Sequence, residues 1–157
     1  ELAAEVNQTM PYHVVDLVAQ ALSQQGKPLD AARVLVLGVA FKRDTDDARN
    51  SPAERLIELL LKRGAQVSYS DPFVPRYRVG RDVFHPTERW LESVNLTDQA
   101  LTAADCVIII AGHEAVDYIQ VVQQATLIVD TVNATSGLAG PARVVRVGAP
   151  LPGPQIR

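Results

Sequence analysis

Leu2, Val6, Met10, Val14, Leu17, Val18, Ala21 and Leu22 recur at spacings of three and four along the start of the chain. An α-helix turns once in roughly 3.6 residues, so these positions share one face and predict a long amphipathic helix. Pro11 falls inside the stripe. A proline lacks the backbone N–H and crowds the preceding turn, which predicts a kink or a fresh start there. Gly26 and Pro28 mark the end of the helix. The period then shortens. Arg33–Leu37 (RVLVL) is a compact aliphatic run closed by Gly38, the pattern of a strand buried on both faces. Ser51 and Glu54 have capping-box spacing, and Pro52 suits a first helical position. Leu56, Ile57, Leu60 and Leu61 give that helix a buried face, and Gly64 ends it. Residues 66–69 (QVSY) form the next predicted strand, stopped by Asp71-Pro72.

The middle of the chain is less regular. The stretch 72–86 holds three prolines and three arginines and is read as a loop. Beyond it the pattern predicts a helix over 97–104 with Thr97 as cap, a strand over 106–111 (CVIIIA) and a helix over Tyr118–Gln124. Strands over Leu127–Asp130 and over 143–147 complete the series. The tail APLPGPQIR has three prolines and no apolar period, and is expected to be flexible. Apolar strands alternating with helices imply a parallel sheet covered on both faces. Right-handed crossovers make that an α/β, Rossmann-like three-layer sandwich with a mostly parallel sheet, preceded by a long amphipathic helix. Ligands in such sheets bind outside the carboxyl ends of the strands.

Composition narrows the function classes. At 157 residues the chain can bury the core of one domain, and 47% hydrophobic with 21% charged residues is ordinary for a globular protein. A net charge of −3 offers no global attraction to nucleic acid or an anionic membrane. No apolar run reaches bilayer length, and the N-terminus ELAAEVNQ has no signal-peptide pattern. The single cysteine, Cys106, can form neither an internal disulfide nor a thiolate metal cluster. A cytoplasmic protein is expected, with neither nucleic-acid nor membrane partners. The chain opens on Glu1 inside a helical pattern, which suggests a fragment of something longer.

The stretch GVAFKRDTDDARNSPA (38–53) lies at the carboxyl end of the first predicted strand, where a dinucleotide fold would carry its glycine-rich phosphate loop. No G-x-G-x-x-G is present, so the domain is not expected to be a primary NAD or FAD site. Lys42 could meet a phosphate as a point charge, and Arg49 lies near a helix N-terminus, where anions are favoured. A surface loop of mutually compensating ion pairs accounts for the same residues equally well. Asp46 and Asp47 resemble the Mg²⁺-binding acid pair of a receiver domain. That fold needs a lysine after a late strand, and the lysines here are Lys27, Lys42 and Lys62. These aspartates are read instead as holding loop backbone and pairing with Lys42, Arg43 or Arg49. Cys106 reads as core, and Trp90 and Tyr77 as packing residues. His113 either faces the ligand crevice or is a structural histidine bonded to a loop carbonyl; His13 and His85 lack metal-ligand spacing with it.

GVAFKRDTDDARNSPA resembles the G-hydrophobic-A-F/Y-K…D-D-x-R-x-S-P-A signature of the UDP-glucose/GDP-mannose dehydrogenase family. Asp71-Pro72-Phe73-Val74 is similar to that family's D-P-x-V. Ala104-Asp105 before CVIII, followed by His113, is similar to its A-D-x-V-V-I…H segment. VNQTMPYHVV resembles the end of the family's central helix, and with GVAFKRDTDD looks closest to the UDP-N-acetylglucosamine 6-dehydrogenase branch. The resemblance implies a C-terminal, nucleotide-sugar-binding domain of an enzyme that oxidises a UDP-sugar C6 alcohol to a uronate with two NAD, in polysaccharide precursor synthesis. It implies that Phe41 and Lys42 contact the nucleotide sugar and that Arg49 reaches NAD held mainly by a separate N-terminal domain. Residues 1–26 would end the central linker and dimerisation helix, giving a homodimer. Residues 27–150 would form the nucleotide-sugar domain, and 151–157 a flexible tail. The family's G-G-x-C-x-P-K-D nucleophile segment is not in this sequence, so the chain alone is expected to be inactive. Two positions depart from the pattern: Val132 stands where the family often has arginine, and Asn50 where glutamate is usual. A free-standing nucleotide-binding or interaction module without catalysis is the competing class.

Overall fold

The computed structural model describes residues 2–40, 44, 48, 51–80 and 88–147, with side chains from Thr9 onward. The elements in chain order are α1 (Leu2–Gln24), β1 (Arg33–Leu37), α2 (Pro52–Lys62), β2 (Gln66–Ser70), β3 (Arg76–Val79) and β4 (Arg89–Glu92). They continue with α3 (Asp98–Ala103), β5 (Cys106–Ile109), α4 (Tyr118–Gln124), β6 (Leu127–Asp130) and β7 (Arg143–Arg146).

Five strands form one parallel sheet in the order β2-β1-β5-β6-β7. Alternation along each strand explains the layers. Val34, Val36, Cys106, Ile108, Leu127 and Val129 face one way and pack with Val14, Val18 and Leu22 of α1 and Leu56 and Leu60 of α2. Leu35, Leu37, Val107, Ile109 and Ile128 face the other way, against Leu101 of α3 and Val121 and Val122 of α4. The strands are apolar on both faces because both faces are covered, as the sequence pattern predicts. The chain leaves β1 toward one edge and returns at β5 toward the other. The topological switch point therefore lies between the carboxyl ends of β1 and β5.

The helix ends follow from local chemistry. Ser51 caps α2 by accepting from the Ala53 N–H at 3.1 Å, with Pro52 opening the helix. At its other end Gly64 takes φ +88°, and the Ala65 and Gly64 N–H groups return to the Leu60 and Leu61 carbonyls at 3.0 Å each, a Schellman closure. Gly26, φ +74°, closes α1 in the same way on Leu22 and Ser23. Thr97 caps α3 through Ala100, as expected. α1 runs through Pro11 without a fresh start. Its later turns are part of the domain core, with Val14, Val18 and Leu22 fully buried.

Two elements, β3 and β4, depart from the sequence reading. Within the stretch read as a loop, Arg76–Val79 forms β3, which pairs antiparallel with β4. Tyr77 and Val79 are buried. Arg76 and Arg78 stand over the half-exposed Trp90 ring at 4.6 and 5.6 Å from its centroid. Trp90 is thus a packing residue, but on the surface against two guanidinium groups rather than in the core.

Two tyrosines couple the fold to alkaline pH. Tyr69 is fully buried and donates its hydroxyl to the Val74 carbonyl at 2.8 Å; Tyr118 donates to the Ala111 carbonyl at 3.3 Å. Burial first, then nearby carboxylates (Asp71 for Tyr69, Asp130 for Tyr118), pushes each hydroxyl up to about 12. The folded state then holds these protons above the ordinary tyrosine value of 10.0, where the unfolded chain releases them. Stability is therefore fully present below that value and falls as pH rises toward about 12. Urea midpoints measured at stepped alkaline pH should decline across this window, and Tyr118→Phe should flatten the decline.

Candidate functional site

The site is built at the switch point. β1 ends on Gly38, whose φ is +83° and whose N–H donates to the Ser70 carbonyl at 3.0 Å. The backbone passes so near the end of β5 that a side-chain carbon at residue 38 would meet Ala111 Cβ and O at 2.7 Å. Glycine is required there for both reasons.

Asp71, buried just after β2, organises the chain beyond Gly38. Its Oδ2 accepts from the Val39 N–H at 2.8 Å, the Ala40 N–H at 3.3 Å and His113 Nε2 at 3.0 Å. Its Oδ1 accepts from the Phe73 N–H at 2.8 Å, closing an Asx turn. Ser93 Oγ in turn accepts from the Asp71 N–H at 2.9 Å, tying the site to the chain beyond β4. His113 is fully buried, and the Phe73 ring meets it edge-on at 4.9 Å. Its Nδ1 accepts from the Asp44 N–H at 2.6 Å, which leaves the proton on Nε2 for Asp71. Asp44, at φ +59°, accepts on Oδ1 from the Glu114 N–H at 2.8 Å.

A second buried aspartate works likewise at the end of β6. Asp130 Oδ1 accepts from the Val132 and Ala134 N–H groups at 3.1 Å each. Its Oδ2 accepts from the Thr135 N–H at 2.8 Å and hydroxyl at 2.6 Å. Arg146 Nη2 donates to the Thr135 carbonyl at 2.9 Å and hydroxyl at 3.1 Å. Between these two organised loops opens a cavity of about 480 Å³, lined by Gly112, His113, Glu114, Tyr118, Val132 and Asn133. Val132, 42% exposed, lines the wall where the family pattern often has arginine.

Phe41, Lys42, Arg43, Asp46, Asp47 and Arg49 lie outside the described residues, so the expected ligand contacts and the receiver-like acid pair carry no geometry here. His113 satisfies both sequence readings in part: it lines the crevice and is fully bonded, but to a carboxylate and a backbone N–H rather than to a carbonyl. Asp71 was legible as a strand stop and as part of D-P-x-V; its role as a hub was not. Asp105 sits at the opposite, amino end of the sheet. There it accepts from the Arg33 N–H at 2.8 Å and Lys27 Nζ at 3.0 Å, and the Arg33 N–H chiefly, with help from Lys27, holds its carboxyl below the usual range against the opposing effect of burial.

Cys106 is fully buried in β5, and burial pushes its thiol far up, so it is core. No group of three or more His, Cys, Asp or Glu among the described residues could hold a metal ion. No helix among them is long and apolar enough to cross a membrane. A dinucleotide pyrophosphate needs free N–H groups after the first strand. Here the Val39 and Ala40 N–H groups are already spent on buried Asp71.

Comparisons with known proteins agree with this geometry. The model of the "UDP-glucose/GDP-mannose dehydrogenase family, UDP binding domain" matches residues 35–137. The UDP-N-acetyl-D-mannosamine dehydrogenase of Methanocaldococcus jannaschii is 30% identical over 112 residues, 71% of this chain and 22% of that protein. The UDP-glucose 6-dehydrogenase of Haloferax volcanii is 43% identical over 72 residues, 46% of this chain and 16% of that protein. Among solved structures, the NDP-N-acetyl-D-galactosaminuronic acid dehydrogenase of Methanosarcina mazei superposes with a TM-score of 0.67 at 31% identity, over 92% of this chain and 30% of its own. This chain thus spans less than a third of each of these relatives.

Proposed function

This chain belongs to the UDP-glucose/GDP-mannose dehydrogenase family, and from that premise we propose that it is the nucleotide-sugar-binding domain of an NAD-dependent UDP-sugar 6-dehydrogenase. The parent enzyme oxidises the C6 alcohol of a UDP-sugar to a carboxylate, supplying precursors for polysaccharide synthesis in the cytoplasm. The observation that carries the reading is the carboxyl edge of the sheet, where buried Asp71 fixes the start of the signature segment and a cavity of about 480 Å³ opens beyond the β5 and β6 ends.

The residues divide the work. Phe41 contacts the nucleotide sugar, and Lys42 meets its phosphate or sugar oxygens. Arg49 reaches across to NAD held by a separate N-terminal domain. The hydride chemistry is supplied by that domain and by a nucleophile segment outside this sequence. This domain binds and orients the substrate. The early turns of α1 continue the linker helix and pair with a second copy about a twofold axis.

Lys42→Ala in the full enzyme should weaken UDP-sugar binding, whereas Arg49→Ala should weaken NAD binding and spare the sugar nucleotide. A charge-assisted hydrogen bond is worth about 1.5–3 kcal/mol, so each loss should be roughly ten- to a hundredfold. Separate titrations with the two ligands decide the matter. Near-wild-type affinity for both ligands in both variants would mean that these charges only compensate one another.

A further inference from the structure

His113 does more than fill the crevice wall. Its ring joins two separate points of the segment after β1. Through Nε2 it meets Asp71, which itself holds Val39 and Ala40; through Nδ1 it holds the Asp44 N–H. The Asp44 carboxylate returns to the Glu114 N–H. Residues 44 and 113–114 are therefore clasped by two bonds running in opposite directions. The clasp also holds Asp44 in the left-handed region, at φ +59°, which aspartate adopts more readily than most non-glycine residues. His113 and Glu114 at the same time line the cavity at the end of β5. The wall of the cavity and the turn at Asp44 are thus one bonded unit.

We propose that His113 is a positioning residue for nucleotide binding, holding the Asp44 turn through Nδ1 against the wall of the adjacent cavity. The inference rests on the functional reading above and adds to it the residue that holds the Asp44 turn. Imidazole suits the task because one nitrogen accepts while the other donates, at two different reaches from the backbone. Either carboxamide keeps only half of this. Asparagine can place an acceptor near the position of Nδ1, and glutamine a donor near that of Nε2.

The test is calorimetric titration of the chain with UDP, using wild type, His113→Asn and His113→Gln, each shown to be folded by circular dichroism well below its melting midpoint. His113→Gln keeps the partner for Asp71 and releases Asp44, and should lose about tenfold or more in affinity. His113→Asn keeps an acceptor for Asp44 and should stay within about threefold of wild type. A purely structural histidine would lower both melting midpoints and leave both affinities alone. Wild-type affinity in folded His113→Gln, or equal losses in both variants, overturns the proposal. Should either variant fail to fold, Asp44→Ala, at a partly exposed turn, takes its place: severing the bond to Glu114 should weaken UDP several-fold, and unchanged binding overturns the proposal. If wild type itself does not bind UDP, the functional reading fails rather than the clasp. Hydrogen exchange then reads the clasp directly: the Asp44 amide should exchange faster in His113→Gln than in His113→Asn, and equal rates overturn it.

Discussion

Asp71→Ala should be among the most damaging single substitutions in this chain, lowering stability by about 4 kcal/mol or more. The carboxylate is buried and serves four donors: the N–H groups of Val39, Ala40 and Phe73, and His113 Nε2. A buried donor left without an acceptor costs roughly 1–3 kcal/mol, and alanine strands four of them at once. The losses do not add fully, because the freed segment can move toward water. Even so, the sum is a large share of a typical domain's stability of about 5–15 kcal/mol. Asp71→Asn separates the components: it keeps one acceptor oxygen and turns the other position into a donor facing donors. It should fall between wild type and alanine in urea midpoint. If alanine shifts the midpoint by no more than a surface substitution does, the hub is not what organises the strand end.

Gly38→Ala should cost about 3 kcal/mol or more, for two separable reasons. The backbone sits at φ +83°, where a side chain costs roughly 1–2 kcal/mol. The added carbon would also meet Ala111 Cβ, O and N at 2.7–2.8 Å, and much of that contact is backbone, which cannot swing away. β1 and β5 would have to separate at the switch point. Gly137 is the internal control: its φ is +76°, but an added carbon there meets nothing within 4 Å. Gly137→Ala should therefore show the conformational cost alone. Equal melting-temperature losses for the two variants would contradict the close approach of β1 to β5.

The parallel sheet was legible because its strands are covered on both faces and so read as continuous aliphatic runs. Cys106 and Leu127 through Val129 are fully buried, as such runs require. The hairpin was not legible for a related reason. Arg76, Tyr77, Arg78 and Val79 do alternate, but over a single short strand among prolines. The outward aromatic, Trp90, is held by arginines rather than by core. Loop composition also masked the hub. Asp71 bonds to Val39 across 32 positions and to His113 across 42, and no local spacing carries such pairings. The signature residues were legible as a family pattern, and the structure adds what that pattern rests upon, namely two buried aspartates at the ends of β2 and β6. Asp105 shows the opposite outcome. It belongs to a recognisable motif, yet it lies at the amino end of the sheet, where it joins Arg33 and Lys27 away from the cavity beyond the β5 and β6 ends.

The central claim is that a uridine nucleotide binds at the carboxyl edge of this sheet, in the cavity beyond the β5 and β6 ends. Amide-resolved NMR titration of the chain with UDP tests it most directly. The account predicts the largest shifts at Asp44, at Gly112–Glu114 and over 132–135, with the amino-end amides of Lys27, Arg33 and Asp105 unmoved. Shifts centred on that amino end, or none at UDP concentrations into the millimolar range, would contradict it.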